Sequence, residues 1–177
     1  MGALGAEGRA TQMSRIAIDA GRWDTRAQMT PFITAGAGFL LAVLWFDLMF
    51  DVEALRHRGG DVPEQTVASI AGYYRRVTTT ARPMNRLVAG VMLATIGTII
   101  AQIARGDLPR WVGWVSLVLA GAAILLAALR TVPNAVQLGA RTGSHERQSE
   151  LAKSIGRDHV LCAVAIVTLL AIELSFA

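Results

Sequence analysis

Four segments of the chain are long, apolar and almost free of charge, and they constrain the fold more than any other feature of the sequence. They run from Pro31 to Phe50, from Leu87 to Ala104, from Trp111 to Thr131 and from His159 to Ala177. Each is close to the roughly 20 residues that a helix needs to cross a bilayer core, at about 1.5 Å of rise per residue. The sequence therefore predicts an all-α integral membrane protein with four transmembrane helices.

The charged residues are few and lie between these segments. Of the 177 residues, 17% are charged and 53% are hydrophobic, whereas a soluble domain carries about 25% charged residues. The formal net charge is +4, but no motif of a nucleic-acid-binding module is present. Excess arginine beside membrane spans orients helices and contacts anionic lipid. The lipid bilayer is therefore the expected partner, and nucleic acid is not.

The first 28 residues differ from the rest of the chain. They carry acidic and basic side chains throughout and are too polar for the apolar core of a signal peptide. We therefore predict two regions, a polar N-terminal tail at 1–28 and a transmembrane domain at 29–177. Cys162 is the only cysteine, which excludes an intrachain disulfide and a cysteine-cluster metal site.

The connections between the apolar segments are unequal. The short RGDLPR turn at 105–110 predicts that the second and third spans form an antiparallel hairpin. The first connection contains Val67, Ile70, Tyr74 and Val77 at helical spacing, which predicts an amphipathic helix between spans one and two. We predict that it lies in the membrane interface, with packing beneath the bundle as the alternative. The third connection, 132–158, is expected to be broken by its proline and glycines, with a short polar helix at RQSELAKSI.

Small residues and arginines predict how the spans pack and how they are oriented. Helices in lipid associate through close contacts at small residues, and glycine and alanine recur in the first three spans, as in the pairs Gly36–Ala37 and Gly121–Ala122, and at Gly97. We therefore predict a compact four-helix bundle. The chain has one lysine against sixteen arginines, with many alanines and glycines, which suggests a GC-rich bacterial genome. We therefore predict a bacterial inner-membrane protein. Arginine and lysine are concentrated in the two long connections, so these are predicted to be cytoplasmic.

The candidate site begins with two carboxylates at the end of the first span. Asp47 and Asp51 are four residues apart, so they share a helix face. An aspartate at the bilayer centre costs about 2.5–3.5 kcal/mol, and less near a helix end, which argues for a partner. The topology brings polar residues of all four spans to the same membrane face. We therefore hypothesise a pocket with Asp47 and His159 as catalytic residues, and with these ligand-binding residues: Asp51, Asn85, Arg86, Arg130, Asn134 and Arg157.

Two other interpretations stay open for these polar residues. In the first, the polar residues lie at helix ends in contact with water, and an aspartate–arginine pair fixes how the helices pack. Asp47, Asp51 and His159 also combine carboxylate and imidazole, which metal ions bind, but three ligands inferred from topology alone are not enough to predict a metal site. No cofactor is identified. Glu173, near the end of the fourth span, is either an intramembrane proton carrier or a residue that reaches the interface.

Two stretches of the chain resemble a known family. RTVPNAVQLG follows the third span and GRDHVLCAVAIVTLLAI enters the fourth, and together they resemble the anthrone oxygenase-like family of small four-helix membrane proteins. The resemblance implies the same helix layout, with Pro133, Asn134, Arg157 and His159 at matching positions. It also implies that a small hydrophobic or aromatic molecule is bound or oxidised.

Three functions follow from these features. No Walker loop, dinucleotide fingerprint, nucleophile elbow or HExxH motif is present. We therefore predict first an accessory or structural subunit of a membrane complex, with other membrane subunits or a second copy of the chain as partners. The alternatives are a membrane-embedded enzyme or binding protein for a small hydrophobic molecule, and a small transporter subunit that couples protons through Asp47 or Glu173.

Overall fold

The computed structural model describes residues 29–57 and 59–176, with only the backbone at position 82. The predicted tail at 1–28 lies outside the described residues. Within them the chain is helical, without strands, so the all-α prediction is confirmed. The elements are α1 (Thr30–Arg56), α2 (Glu64–Thr79), α3 (Arg82–Arg105), α4 (Arg110–Leu126), a π-helical turn (Ala127–Thr131), α5 (Val132–Ala140) and α6 (His145–Ser175).

Four helices are long and apolar enough to cross a membrane, which indicates a multi-pass membrane protein. They are Thr30–Arg56, Pro83–Arg105, the continuous Arg110–Ala140 formed by α4, the π turn and α5, and His145–Ser175. Each predicted span lies on one of them. The last two have 31 residues each, about 46 Å at 1.5 Å per residue, and so exceed a bilayer core of about 30 Å. Helices of this length can cross the core at a tilt or extend beyond it.

The prediction for the third connection, 132–158, is wrong. Helical structure continues through Pro133 to Ala140, and RQSELAKSI is the beginning of α6 rather than a separate short helix. Proline cannot donate the usual bond to the carbonyl four residues earlier, and its ring crowds that carbonyl. Here the preceding turn has widened, so that the Val132 amide donates to Ala127 five residues back. The chain therefore tolerates the proline without a break, and only residues 141–144 connect the two helices.

Two apolar clusters divide the interior. The long-helix core draws on all four membrane-length helices and contains Ile33, Ala37, Ile99, Ala120, Ala123, Cys162, Ile166 and Leu169. The α2 core contains Ala54, Val62, Val67, Ile70, Ala71, Tyr74, Ala135, Leu138, Leu151, Ala152 and Ile155. The predicted helix between spans one and two is thus present as α2. Its apolar side is covered by α1, α5 and α6, as in the second arrangement that the sequence left open.

Polar contacts hold the beginning of α2 against the turn between α5 and α6. The carboxylate of Glu64 contacts Arg141 and His145, and the hydrogen bond from Arg141 is the main reason that the pKa of Glu64 lies below its usual value. The Val62 amide donates to the buried Ser149 hydroxyl at 2.8 Å. These contacts fix one end of α2, and the aromatic residues described below fix the other.

Two glycines permit the close helix contacts that position the site. A Cβ at Gly139 would lie 2.9 Å from the backbone nitrogen of Arg75, so α5 touches the α2 backbone directly. A Cβ at Gly156 would lie 3.2 Å from Cβ of Asp51, so α6 runs close to α1. Gly139 was expected to break the chain and instead forms a helix contact. Conversely, the small residue Gly97 of α3 is exposed, so the expectation that it marks a contact within the chain is wrong.

Candidate functional site

Five polar side chains from three helices meet between the two apolar clusters. They are Asp47 and Asp51 of α1, Tyr73 and Tyr74 of α2, and His159 of α6, and we call them the carboxylate–histidine cluster. Asp51 is fully buried, and Tyr74 and His159 are nearly so. The Asp47 side chain keeps 16% of its surface exposed. The cluster therefore has a closed interior and one carboxylate near its edge.

Asp51 is the centre of the cluster. The Tyr74 hydroxyl lies 2.8 Å from its Oδ1 and 2.9 Å from its Oδ2 and donates to the carboxylate. His159 Nδ1 lies 2.6 Å from Oδ2. Because an ionised carboxylate only accepts hydrogen bonds, Nδ1 must carry the hydrogen in this contact. Charge-assisted contacts of this kind compensate a carboxylate for the loss of water, which explains how Asp51 is tolerated in the interior.

The other nitrogen of His159 faces the second carboxylate. Nε2 lies 3.9 Å from Oδ2 of Asp47, while the Tyr73 hydroxyl donates to Oδ1 of Asp47 at 2.6 Å. Because the bond to Asp51 fixes the hydrogen on Nδ1, Nε2 is left to bind a proton or a ligand group. A protonated Nε2 would pair with Asp47. The arrangement can therefore hold a proton between an oriented histidine and a carboxylate at the edge.

The two tyrosines remain hydrogen-bond donors over a wide pH range. Burial, with the nearby Asp51 carboxylate, raises the pKa of Tyr74 far above its usual value. Burial and the hydrogen bond to Asp47 raise the pKa of Tyr73 in the same direction. The Tyr73 ring also stacks on Phe50, with ring centroids 4.1 Å apart. Both phenols therefore stay neutral at physiological pH and connect α2 to α1.

A second set of polar side chains lies on the other side of α6. Arg130 Nε is 3.3 Å from Oδ2 of Asp158, and its Nη2 donates to the Ser154 hydroxyl at 3.0 Å. The Asn134 amide approaches the same hydroxyl at 3.4 Å. Asp158 and His159 are consecutive residues, and consecutive side chains of a helix point about 100° apart. The predicted residues Arg130 and Asn134 therefore belong to this second set and not to the carboxylate–histidine cluster.

Three other predicted site residues lie apart from both sets. Asn85, Arg86 and Arg157 are exposed. The Asn85 amide donates to the Val77 carbonyl at 2.8 Å, near the end of α2. Within the described residues, neither Arg86 nor Arg157 pairs with a carboxylate. Asn85 thus has a contact outside the cluster, and the two arginines face outward.

The two tyrosines of the cluster, Tyr73 and Tyr74, are not among the residues predicted for the site from the sequence. Tyr74 lies on the same side of α2 as Val67 and Ile70, and this spacing indicates burial. A buried tyrosine hydroxyl needs a partner, and the acidic pair on α1 is the available acceptor. This was the signal that could have identified Tyr74. Nothing in the spacing of Tyr73 indicates its contact with Asp47, because it lies to one side of the apolar face.

A groove of about 270 Å³ opens near the cluster, between the end of α1 and the beginning of α2. Its walls are Met49, Phe50, Glu53, Gln65, Thr66, Ser69 and Ile70. None of the five cluster residues lines it, although the Phe50 ring separates it from Tyr73. Among the described residues, no group of three or more His, Cys, Asp or Glu side chains is placed to hold a metal ion. The groove is therefore adjacent to the cluster and does not enter it.

Comparisons with protein-family models, with curated proteins and with solved structures found no match to this chain. The resemblance to the anthrone oxygenase-like family stays a prediction.

Proposed function

We propose that this chain is an accessory or structural subunit of a membrane complex, with its four long helices forming a transmembrane bundle. The observation that carries the proposal is the closed state of the carboxylate–histidine cluster. Both oxygens of Asp51 and the hydroxyl of Tyr74 are occupied by contacts within the chain. These contacts connect α1, α2 and α6. Within the described residues, the groove beside the cluster does not reach His159. The cluster therefore suits a role in holding the helices together.

The outer surfaces of the long helices fit such a role. Large apolar side chains point outward on several of them, for example Trp45 at 66%, Leu93 at 74% and Leu129 at 75% exposure. In water such surfaces are unfavourable, but in a bilayer they contact lipid or neighbouring helices. We propose the bacterial inner membrane as the location, with the long connections in the cytoplasm. The arginines at 75, 76 and 86 are exposed near α2, where they would meet anionic headgroups.

Native mass spectrometry of the protein, gently extracted from its own membranes, tests the proposal. We expect the chain to appear with other subunits at a fixed stoichiometry. The same sample after extraction in a harsh detergent serves as the control and should release the free chain. A chain that appears only alone after gentle extraction would contradict the proposal.

A second candidate is a membrane-embedded enzyme or binding protein for a small hydrophobic or aromatic molecule, as in the anthrone oxygenase-like family. The orientation of His159 favours it, because Nε2 faces Asp47 at the cluster edge. The aromatic pair of Phe50 and Tyr73 lies beside the same carboxylate. In this case native mass spectrometry should show a monomer or dimer with added mass. Asp47→Asn should lose that mass while retaining the fold, whereas equal mass on both proteins would argue against a role of Asp47.

A further inference from the structure

A second buried carboxyl group lies at the opposite end of the long-helix core. Glu173 of α6 is fully buried among the helices, two residues before α6 ends at Ser175. It is 14 residues beyond His159, about 21 Å along a helix. The Ser116 hydroxyl of α4 donates to its Oε1 at 2.6 Å, and the Gln102 amide of α3 donates to its Oε2 at 3.0 Å. Three membrane-length helices therefore meet at this carboxyl group.

The contacts of Glu173 carry no positive charge. Ser116 and Gln102 are neutral, do not titrate, and are themselves buried. In the part of the chain that the structure describes, no Arg, Lys or His forms an ion pair with Glu173. An ionised carboxylate removed from water without a countercharge is strongly unfavourable, by several kcal/mol. Since the described side chains supply no countercharge, the compensating positive charge must come from outside them.

An unsatisfied oxygen lies in the same group of side chains. Gln102 Oε1 is buried without a hydrogen-bond partner, although it belongs to the amide that contacts Glu173. Carboxylate, amide and hydroxyl oxygens are the ligands that hard cations prefer. With the amide reversed, the same oxygen would accept the hydrogen of a carboxylic acid, because oxygen and nitrogen of an amide are assigned from the surrounding hydrogen bonds. We propose that Glu173, Gln102 and Ser116 form a binding site for a small monovalent cation, either a proton or sodium.

This site is independent of the accessory role proposed above, since a subunit of a complex and a free protein can both bind a cation. It gives a chemical basis for ion coupling at Glu173, which the transporter alternative requires. The distance from the carboxylate–histidine cluster separates the two sites, and apolar residues such as Ile166 and Leu169 of the long-helix core lie between them along α6.

Labelling with dicyclohexylcarbodiimide tests the proposal on the full chain reconstituted in lipid vesicles. A protonated carboxyl group adds across one C=N bond of this apolar reagent to give an O-acylisourea. A shift of the acyl group from oxygen to nitrogen then gives a stable N-acylurea, which retains all atoms of both reactants. Intact-mass measurement and peptide mapping would locate the adduct. We expect a single adduct at Glu173, which Glu173→Gln removes. Asp107→Asn, at a carboxyl group in the turn after α3, is the matched control and should leave the labelling unchanged.

The salt dependence of labelling distinguishes the two cations. If sodium is bound, sodium chloride should slow the labelling at least tenfold relative to choline chloride at equal ionic strength. If a proton is bound, the labelling rate should be the same in both salts. Gln102→Met removes the unsatisfied oxygen at similar size and should reduce the sodium protection or, in the proton case, change the labelling rate of Glu173. Absence of an adduct at Glu173 in every condition, or a Gln102→Met variant that labels like the wild type in both salts, would overturn the proposal.

Discussion

Removal of the Tyr74 hydroxyl should loosen α2 without unfolding the long helices. Tyr74→Phe keeps the ring in the α2 core but removes the donor to both oxygens of Asp51. A hydrogen bond to a charged group contributes about 1.5–3 kcal/mol. Water cannot replace the hydroxyl easily, because Asp51 is fully buried. We therefore expect the free energy that docks α2 to fall by about 2 kcal/mol, which is about a 30-fold change in the equilibrium constant.

Hydrogen exchange of the purified protein in lipid nanodiscs measures this change. Backbone amides of α2 (Glu64–Thr79) should exchange about 30-fold faster in Tyr74→Phe if exchange follows local opening. Amides of α3 serve as the internal reference and should be unaffected.

Tyr73→Phe is the matched control. It also removes a tyrosine donor to an aspartate, but Asp47 is partly exposed, so water can replace the hydroxyl and the loss should stay below about 1 kcal/mol. Equal effects of the two variants, or no acceleration in Tyr74→Phe, would refute the argument that burial of Asp51 makes the contact strong.

Two further predictions concern the docking of α2. The pKa of Tyr74 is raised in the folded protein, whereas the pKa of a tyrosine in an unfolded chain is about 10. The Tyr74 hydroxyl therefore contributes fully to the free energy of α2 docking below about pH 10. Above that pH the contribution declines by up to about 1.4 kcal/mol per pH unit, because the undocked tyrosine ionises first. Exchange of α2 amides, corrected for the intrinsic rate, should therefore accelerate above about pH 10 in the wild type and less so in Tyr74→Phe; identical profiles would exclude this role. Gly139→Ala places a Cβ against the Arg75 backbone and should weaken α2 docking by about 1–3 kcal/mol, whereas Gly90→Ala, with nothing near its Cβ, should not. The exchange experiment measures both, and equal behaviour of the two glycine variants would contradict the steric argument.

The membrane-length helices could be predicted because the signal is local. A run of about 20 residues that is almost free of charge is visible in the sequence and has one common explanation. The boundaries and the third connection could not be predicted in the same way. Pro133 indicates a break, but a π turn just before it accommodates the ring. Gly139 also indicates a break, but its lack of a side chain serves contact with α2. Both effects depend on neighbours that the local sequence does not specify.

The site was predictable where spacing and topology determine it. The four-residue interval of Asp47 and Asp51 predicts a shared face, and the helix order predicts that His159 begins the fourth span at the same end; the structure brings these three together. Their catalytic role stays a prediction. Arg130 and Asn134 lie at the predicted level along the bundle axis but contact another side of α6. The level of a residue along the axis follows from counting residues. The side of α6 that it contacts depends on helix packing at positions such as Gly156, and sequence spacing alone does not reveal this packing.

The position of the cluster explains why its perturbation should remain local. Along α6, His159 lies between Ile155 of the α2 core and Cys162 of the long-helix core. Asp51 likewise precedes Ala54 of the α2 core by one turn. The polar side chains thus form a layer between two apolar clusters that have no residue in common. Since α2 contributes only to one of them, loss of its contacts with the layer can release α2 while the long-helix core stays packed. For this reason, the rate of amide hydrogen exchange in α2, compared with the rate in α3, distinguishes loss of contacts in the polar layer from unfolding of the whole protein.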